Sequence, residues 1–105
     1  MISKSPKSKN FYNVENKEQR LTRVAHVKYL RGEMKDALKY FDKLAEIQED
    51  NYIPYVYMSL ACEYVYNKTG KKKFLKRAKK LIVKAAELNP ADEQVLLQLK
   101  NLGLF

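Results

Sequence analysis

The sequence predicts an all-α fold of about five helices, packed as antiparallel hairpins. Three observations carry this. Only three glycines and three prolines interrupt 105 residues, so few strand-ending turns are available. Leu, Ala, Val and Tyr recur at steps of three and four, the period of an amphipathic helix. Three of the periodic runs then close on recognised stop residues, at Gly32, Thr69-Gly70 and Asn89-Pro90.

Taken in chain order, Met1–Asn10 (MISKSPKSKN) carries lysines among Ser, Pro and Asn. Residues 1–14 therefore read as a flexible basic tail, and 15–105 as a single helical domain. The first hairpin is expected over 16–50. Its first helix presents Leu21, Val24, Ala25, Val27 and Leu30, and Gly32 follows it as the usual residue after a helix end. The second helix presents Ala37, Leu38, Phe41, Leu44, Ala45 and Ile47, with lysines and acids on the opposite side. A longer hairpin is expected over 52–89. Its opening helix has Pro54 in the first turn, where the missing N–H costs nothing. It is apolar nearly all round, so it belongs at the centre. Thr69-Gly70 ends it. The next helix turns Phe74, Leu75, Ala78, Leu81, Ile82, Ala85 and Leu88 inward and stops at Asn89-Pro90. Asp92 is the expected N-cap of a last, capping helix over 92–102, with Val95, Leu96, Leu99 and Leu102 on one side. Connections this short force neighbouring helices to reverse.

Composition narrows the function. At 46% hydrophobic and 31% charged the chain can build a core. No apolar run reaches the ~18 residues of a membrane span, and the start lacks the apolar centre of a signal peptide. A lone cysteine, Cys62, makes neither an internal disulfide nor a metal-ligand spacing and reads as a small buried hydrophobe. A cytoplasmic, reducing compartment is expected. His26 is the one histidine. It has no partner at metal or catalytic spacing, and no glycine-rich phosphate loop is present. The chain is expected to be no enzyme, with no metal or cofactor.

The second and fourth helices repeat one pattern. Ala37, Phe41 and Leu44 match Ala78, Ile82 and Ala85 at the same four-then-three spacing. In each, the small residue permits close approach and the larger one fills the space beside it. Here the chain resembles the tetratricopeptide repeat, a ~34-residue helix-turn-helix unit. Gly32 stands at the family's turn glycine, Ala37 at its close-contact alanine, Phe41 at its aromatic and Pro90 at its terminal proline. The matching alanines are seven residues further apart than that repeat, which would lengthen both helices of the second hairpin.

The resemblance implies a right-handed α-solenoid that holds a protein or peptide segment on the surface made by the first helix of each pair. That surface would use Thr22, His26 and Tyr29, with Gln19 beside them, and then Ile53, Val56, Leu60 and Tyr64, with Glu63. Relatives that grip a C-terminal carboxylate use Lys and Asn where Thr22 and His26 stand, so that activity is not implied.

Charge supplies a second reading. The net charge is +9, and nine basic residues with no acid fall between Tyr64 and Ala86. Lys72, Lys76, Arg77, Lys79 and Lys80 make a helical stripe whose like charges repel, and an anion would relieve them. The candidates are an acidic protein surface or the phosphates of nucleic acid. Five tyrosines on the third helix, at 52, 55, 57, 64 and 66, are expected in the core rather than as a base-stacking platform. The apolar C-terminus (Leu96, Leu97, Leu99, Leu102, Leu104 and Phe105) is a candidate surface for a partner or a homodimer.

Overall fold

The computed structural model describes residues 14–105, so the expected tail over 1–14 lies, apart from Val14, outside the described residues. These hold five helices and no strand: α1 Lys17–Leu30, α2 Met34–Ile47, α3 Ile53–Thr69, α4 Lys72–Leu88 and α5 Glu93–Asn101. The helices of the first hairpin have 14 residues each and those of the second have 17. Among the described residues, no helix is long and apolar enough to cross a membrane.

Several helix ends have a local cause. At α1, the Asn16 side chain accepts from the Gln19 amide at 2.8 Å, and the Gln19 side chain accepts from the Asn16 amide at 3.0 Å. Two otherwise unpaired donors are thereby satisfied in a capping box. At the other end Gly32 takes φ +79°, which a side chain resists. The Gly32 amide donates to the Tyr29 carbonyl and the Glu33 amide to the Lys28 carbonyl, a Schellman closure. An ion pair between Lys28 and Glu33 at 2.9 Å spans the same closure. The Asn51 side chain accepts from the Ile53 amide and opens α3, with Pro54 in its first turn. Asp92 caps α5 through the amides of Gln94 and Val95. Gly103 ends α5 with a second Schellman closure, its own amide on Lys100 and that of Leu104 on Leu99.

Consecutive helices pack on one another, and α5 also touches α3. The repeated pattern forms the core: Ala37, Phe41, Leu44, Ala78, Ile82 and Ala85 are all buried. Fully buried alanines let the helices approach closely, and Phe41 and Ile82 fill the space beside them. Helix α3 is central, in contact with α2, α4 and α5. Its Ser59 hydroxyl donates to the Ala78 carbonyl at 2.8 Å, a polar tie to α4 within the core. Cys62 is buried beside it, and burial raises its thiol pKa.

Where α1, α2 and α3 meet, four rings pack together. Phe41 and Tyr57 stack at 5.2 Å with only 4° between their planes. His26 meets both edge-on, at 5.2 and 4.8 Å, and the Tyr29 ring lies edge-on to Tyr57 at 5.2 Å. The first hairpin thus touches the second through aromatic side chains that the repeat pattern alone does not show.

One expectation needs correcting. Val27 and Leu30 were expected on the inward side of α1, but Val27 is exposed and Leu30 is 83% exposed. The buried line of α1 is Leu21 and Ala25, continued by half-buried Tyr29 at steps of four. Val27 and Leu30 fall off that line, because α1 has its main neighbour, α2, on one side only. Ile47, at the end of α2, is likewise exposed.

Replacing Phe41 by Ala is expected to cost about 3–5 kcal/mol, from lost burial and the cavity left behind. Phe105→Ala, on an exposed terminal residue, should stay within about 0.5 kcal/mol. Urea denaturation of the two variants checks the contrast.

Candidate functional site

The structure brings most of the expected contact residues onto one connected surface. Thr22, His26 and Tyr29 are half-buried along α1. The Thr22 hydroxyl donates back to the Glu18 carbonyl, and His26 Nδ1 lies 2.8 Å from the Thr22 carbonyl. A carbonyl only accepts, so Nδ1 carries the proton and Nε2 is the ring's other nitrogen. Tyr57 of α3 packs against both His26 and Tyr29. The same Tyr57 also lines a cavity of about 250 Å³, together with Tyr52, Ile53, Val56, Leu60, Asp92 and Gln94. Tyr57, absent from the expected contact set, is therefore the residue that joins its α1 part to its α3 part.

Exposure divides the set. Ile53 is 44% exposed at the rim, Leu60 is half-buried, and Val56 is buried and forms the back wall. Tyr64 stands apart near the α1–α2 turn. Its ring lies under the Lys68 amine at 5.5 Å, and its hydroxyl approaches the space beside Gly32. Gln19 and Thr22 belong to a different, polar hollow with Asn16, Glu18, Arg23 and Gln48 at the start of α1.

Polar bonds fix the cavity's far wall. The Tyr52 hydroxyl donates to Asp92 at 2.6 Å, while the other oxygen of Asp92 caps α5. One carboxylate thus ties the beginning of α3 to the beginning of α5. Tyr52's hydrogen bond, helped by the amides of Val95 and Gln94, holds Asp92 below the usual carboxylate range. Deeper in, the buried Gln98 amide donates to Ser59 at 3.3 Å and Glu63 at 3.1 Å. The fixed helix face thereby continues from α3 to α5. Burial, reinforced by Tyr57 and Glu63, raises the pKa of Tyr29.

A second hollow lies on the opposite helices of each hairpin. It has a volume of about 370 Å³ and is lined by Lys35, Leu38, Lys39 and Asp42 of α2 with Lys73, Phe74 and Arg77 of α4. Of the expected basic stripe, Arg77 lines this hollow, Lys72, Lys76 and Lys80 are exposed elsewhere on α4, and Lys79 is half-buried. Lys35, Lys39 and Lys73 were not in that stripe. The signal that could have found them is the matched pattern of α2 and α4, Ala37, Phe41 and Leu44 against Ala78, Ile82 and Ala85.

At the C-terminal end, Leu102 is buried and Leu96 and Leu99 half-buried, whereas Leu97, Leu104 and Phe105 are exposed. The expected tyrosine core is realised in part: Tyr52, Tyr55, Tyr57 and Tyr66 are half-buried and Tyr64 is exposed.

The described residues thus form an all-α chain of five helices, each packed on the next, with a mostly apolar hollow lined by α3 and the start of α5 and a basic one lined by α2 and α4. Comparison with protein families, with curated proteins and with solved structures found no match to this chain.

Acid should expose the Tyr52–Asp92 tie. A depressed carboxylate contributes stability that is complete above its unfolded pKa, near pH 4. That contribution is lost as pH falls through the lower folded value. Asp92→Asn keeps a capping side chain but does not titrate. The urea midpoint of the parent protein is therefore expected to fall more steeply below about pH 4 than that of Asp92→Asn, and paired melts across that range check it.

Proposed function

We propose that this chain is a non-enzymatic interaction module of tetratricopeptide-like architecture, a short right-handed solenoid that holds an extended protein segment across α1, α3 and α5. The observation that carries the reading is the cavity beside Tyr57, with Ile53 at its rim and Val56 and Leu60 behind it. An apolar side chain of about Leu size would bury most of its surface there, worth roughly 1.5–3 kcal/mol. One such anchor gives weak binding alone and becomes useful when neighbouring contacts add to it.

Three features support the remainder of the contact. The His26, Tyr29 and Tyr57 rings continue the surface toward α1 and carry polar edges at their rims. Asp92 and Glu63 are already engaged by Tyr52 and Gln98, which leaves the wall fixed before a ligand arrives. Preorganisation of this kind lowers the cost of binding. The resemblance carried by Gly32, Ala37, Phe41 and Pro90 supports the same reading.

Selection from a displayed library of random peptides tests this. Peptides with one large apolar residue are expected to be enriched on the parent protein. They should lose at least tenfold in affinity on Ile53→Lys and Leu60→Lys, and keep it on Val83→Lys, an exposed site elsewhere. Enriched peptides that bind all three variants alike would refute the proposed surface.

A further inference from the structure

We infer that the hollow between α2 and α4 is a second binding site, one that takes the phosphodiester backbone of single-stranded nucleic acid. It lies on the helices that do not form the proposed peptide surface, so it stands or falls separately from that reading.

The site gathers cations from two helices. Lys35 and Lys39, one turn apart on α2, face Lys73 and Arg77, one turn apart on α4. Asp42 is the one carboxylate lining the hollow, 4.0 Å from Arg77. Among the described residues, none of the eight lysines from Lys68 to Lys84 pairs with a carboxylate. Lys73 and Arg77 are continued along α4 by Lys80 and Lys84, at steps of four, three and four that keep one line on a helix. The first turn of α4 carries Lys72 and Lys73 and no acid, at the end where the helix dipole opposes positive charge. Anion binding would relieve both the dipole and the mutual repulsion.

The floor favours a single strand over other polyanions. It consists of Leu38 and half-buried Phe74, whose ring lies under the amines of Lys73 at 5.3 Å and Lys35 at 6.0 Å. Charge beside an aromatic surface suits a strand with unstacked bases. A duplex keeps its bases inside and would leave the floor uncovered. A run of acidic side chains would neutralise the cations but would bring no flat ring to cover Phe74 and Leu38. Four lysine and arginine side chains in the hollow set its capacity at three to four phosphates. The expected slope of log affinity against log salt is then about −2 to −3.

Fluorescence anisotropy with a labelled ~20-nucleotide oligothymidylate at ~50 and ~200 mM salt tests the assignment. The parent protein is expected to bind at the lower salt and lose roughly 15- to 60-fold at the higher. Position is separated from net charge by two variants of equal charge. Lys35→Glu with Lys73→Glu removes one cation from each wall. Lys72→Glu with Lys79→Glu changes a side of α4 roughly a third of a turn away. The first pair should lose at least tenfold more affinity than the second, and Asp42→Asn should bind about twofold or more tighter than the parent. Circular dichroism confirms that each variant keeps its helices. Equal losses from the two pairs, or no binding at ~50 mM salt, would overturn the site. Equal affinity for a duplex, or equal displacement by poly-glutamate of matched charge, would overturn the choice of ligand.

Discussion

The stack of Tyr57 on Phe41 is the contact on which the arrangement of this protein depends. Each hairpin closes on itself through short connections and local caps, and neither needs the other for that. The hairpins are joined where α2 packs on α3, and one α3 side chain reaches past α2 to α1 as well. That side chain is Tyr57, lying flat on Phe41 of α2 and meeting His26 and Tyr29 of α1 edge-on. Edge-on and offset ring pairs add about 0.5–1.5 kcal/mol each beyond their buried area. Several converging on one ring fix the angle between hairpins more tightly than aliphatic packing would.

Both hollows are consequences of that angle. On one side Tyr57 itself forms the wall of the apolar cavity, and the Tyr52–Asp92 bond sets the opposite wall by tying α3 to α5. Elsewhere Lys35 and Lys39 of α2 line one hollow with Lys73 and Arg77 of α4. The proposed peptide surface and the proposed nucleic-acid site are thus parts of one packing solution. Ser59 and Gln98 serve it from within. Their bonds to Ala78 and Glu63 join α3 to α4 and α5, where apolar packing alone would permit sliding.

Much of the fold was legible in the sequence, because helix period and stop residues are local signals. The Gly32 turn, Pro54 in a first turn and the Asp92 cap are decided by a few adjacent residues. The matched triads of α2 and α4 also predicted the buried line that the structure has. What failed was the outer part of α1: periodicity marks apolar residues, but only the number of neighbouring helices decides how wide a buried stripe must be. Leu30 looked like core for that reason and is exposed. The candidate sites were legible by halves. Ile53, Val56 and Leu60 were expected from the resemblance, and the structure sets all three along one cavity. Tyr57 was assigned to the core and not to the surface, since one ring serving both roles is a tertiary fact. The α2 lysines looked like an ordinary wet face until α4 was seen beside them. Gln98 could not have been found, because a buried amide is explained only by the Ser59 and Glu63 that receive it.

A double-mutant cycle on Phe41→Leu and Tyr57→Leu, read by urea denaturation, tests the central contact most directly. Each substitution keeps an apolar side chain, so the cycle isolates the ring pair from general burial. The account predicts a coupling of about 0.5–1.5 kcal/mol between the two positions. Effects that simply add, within about 0.3 kcal/mol, would contradict it.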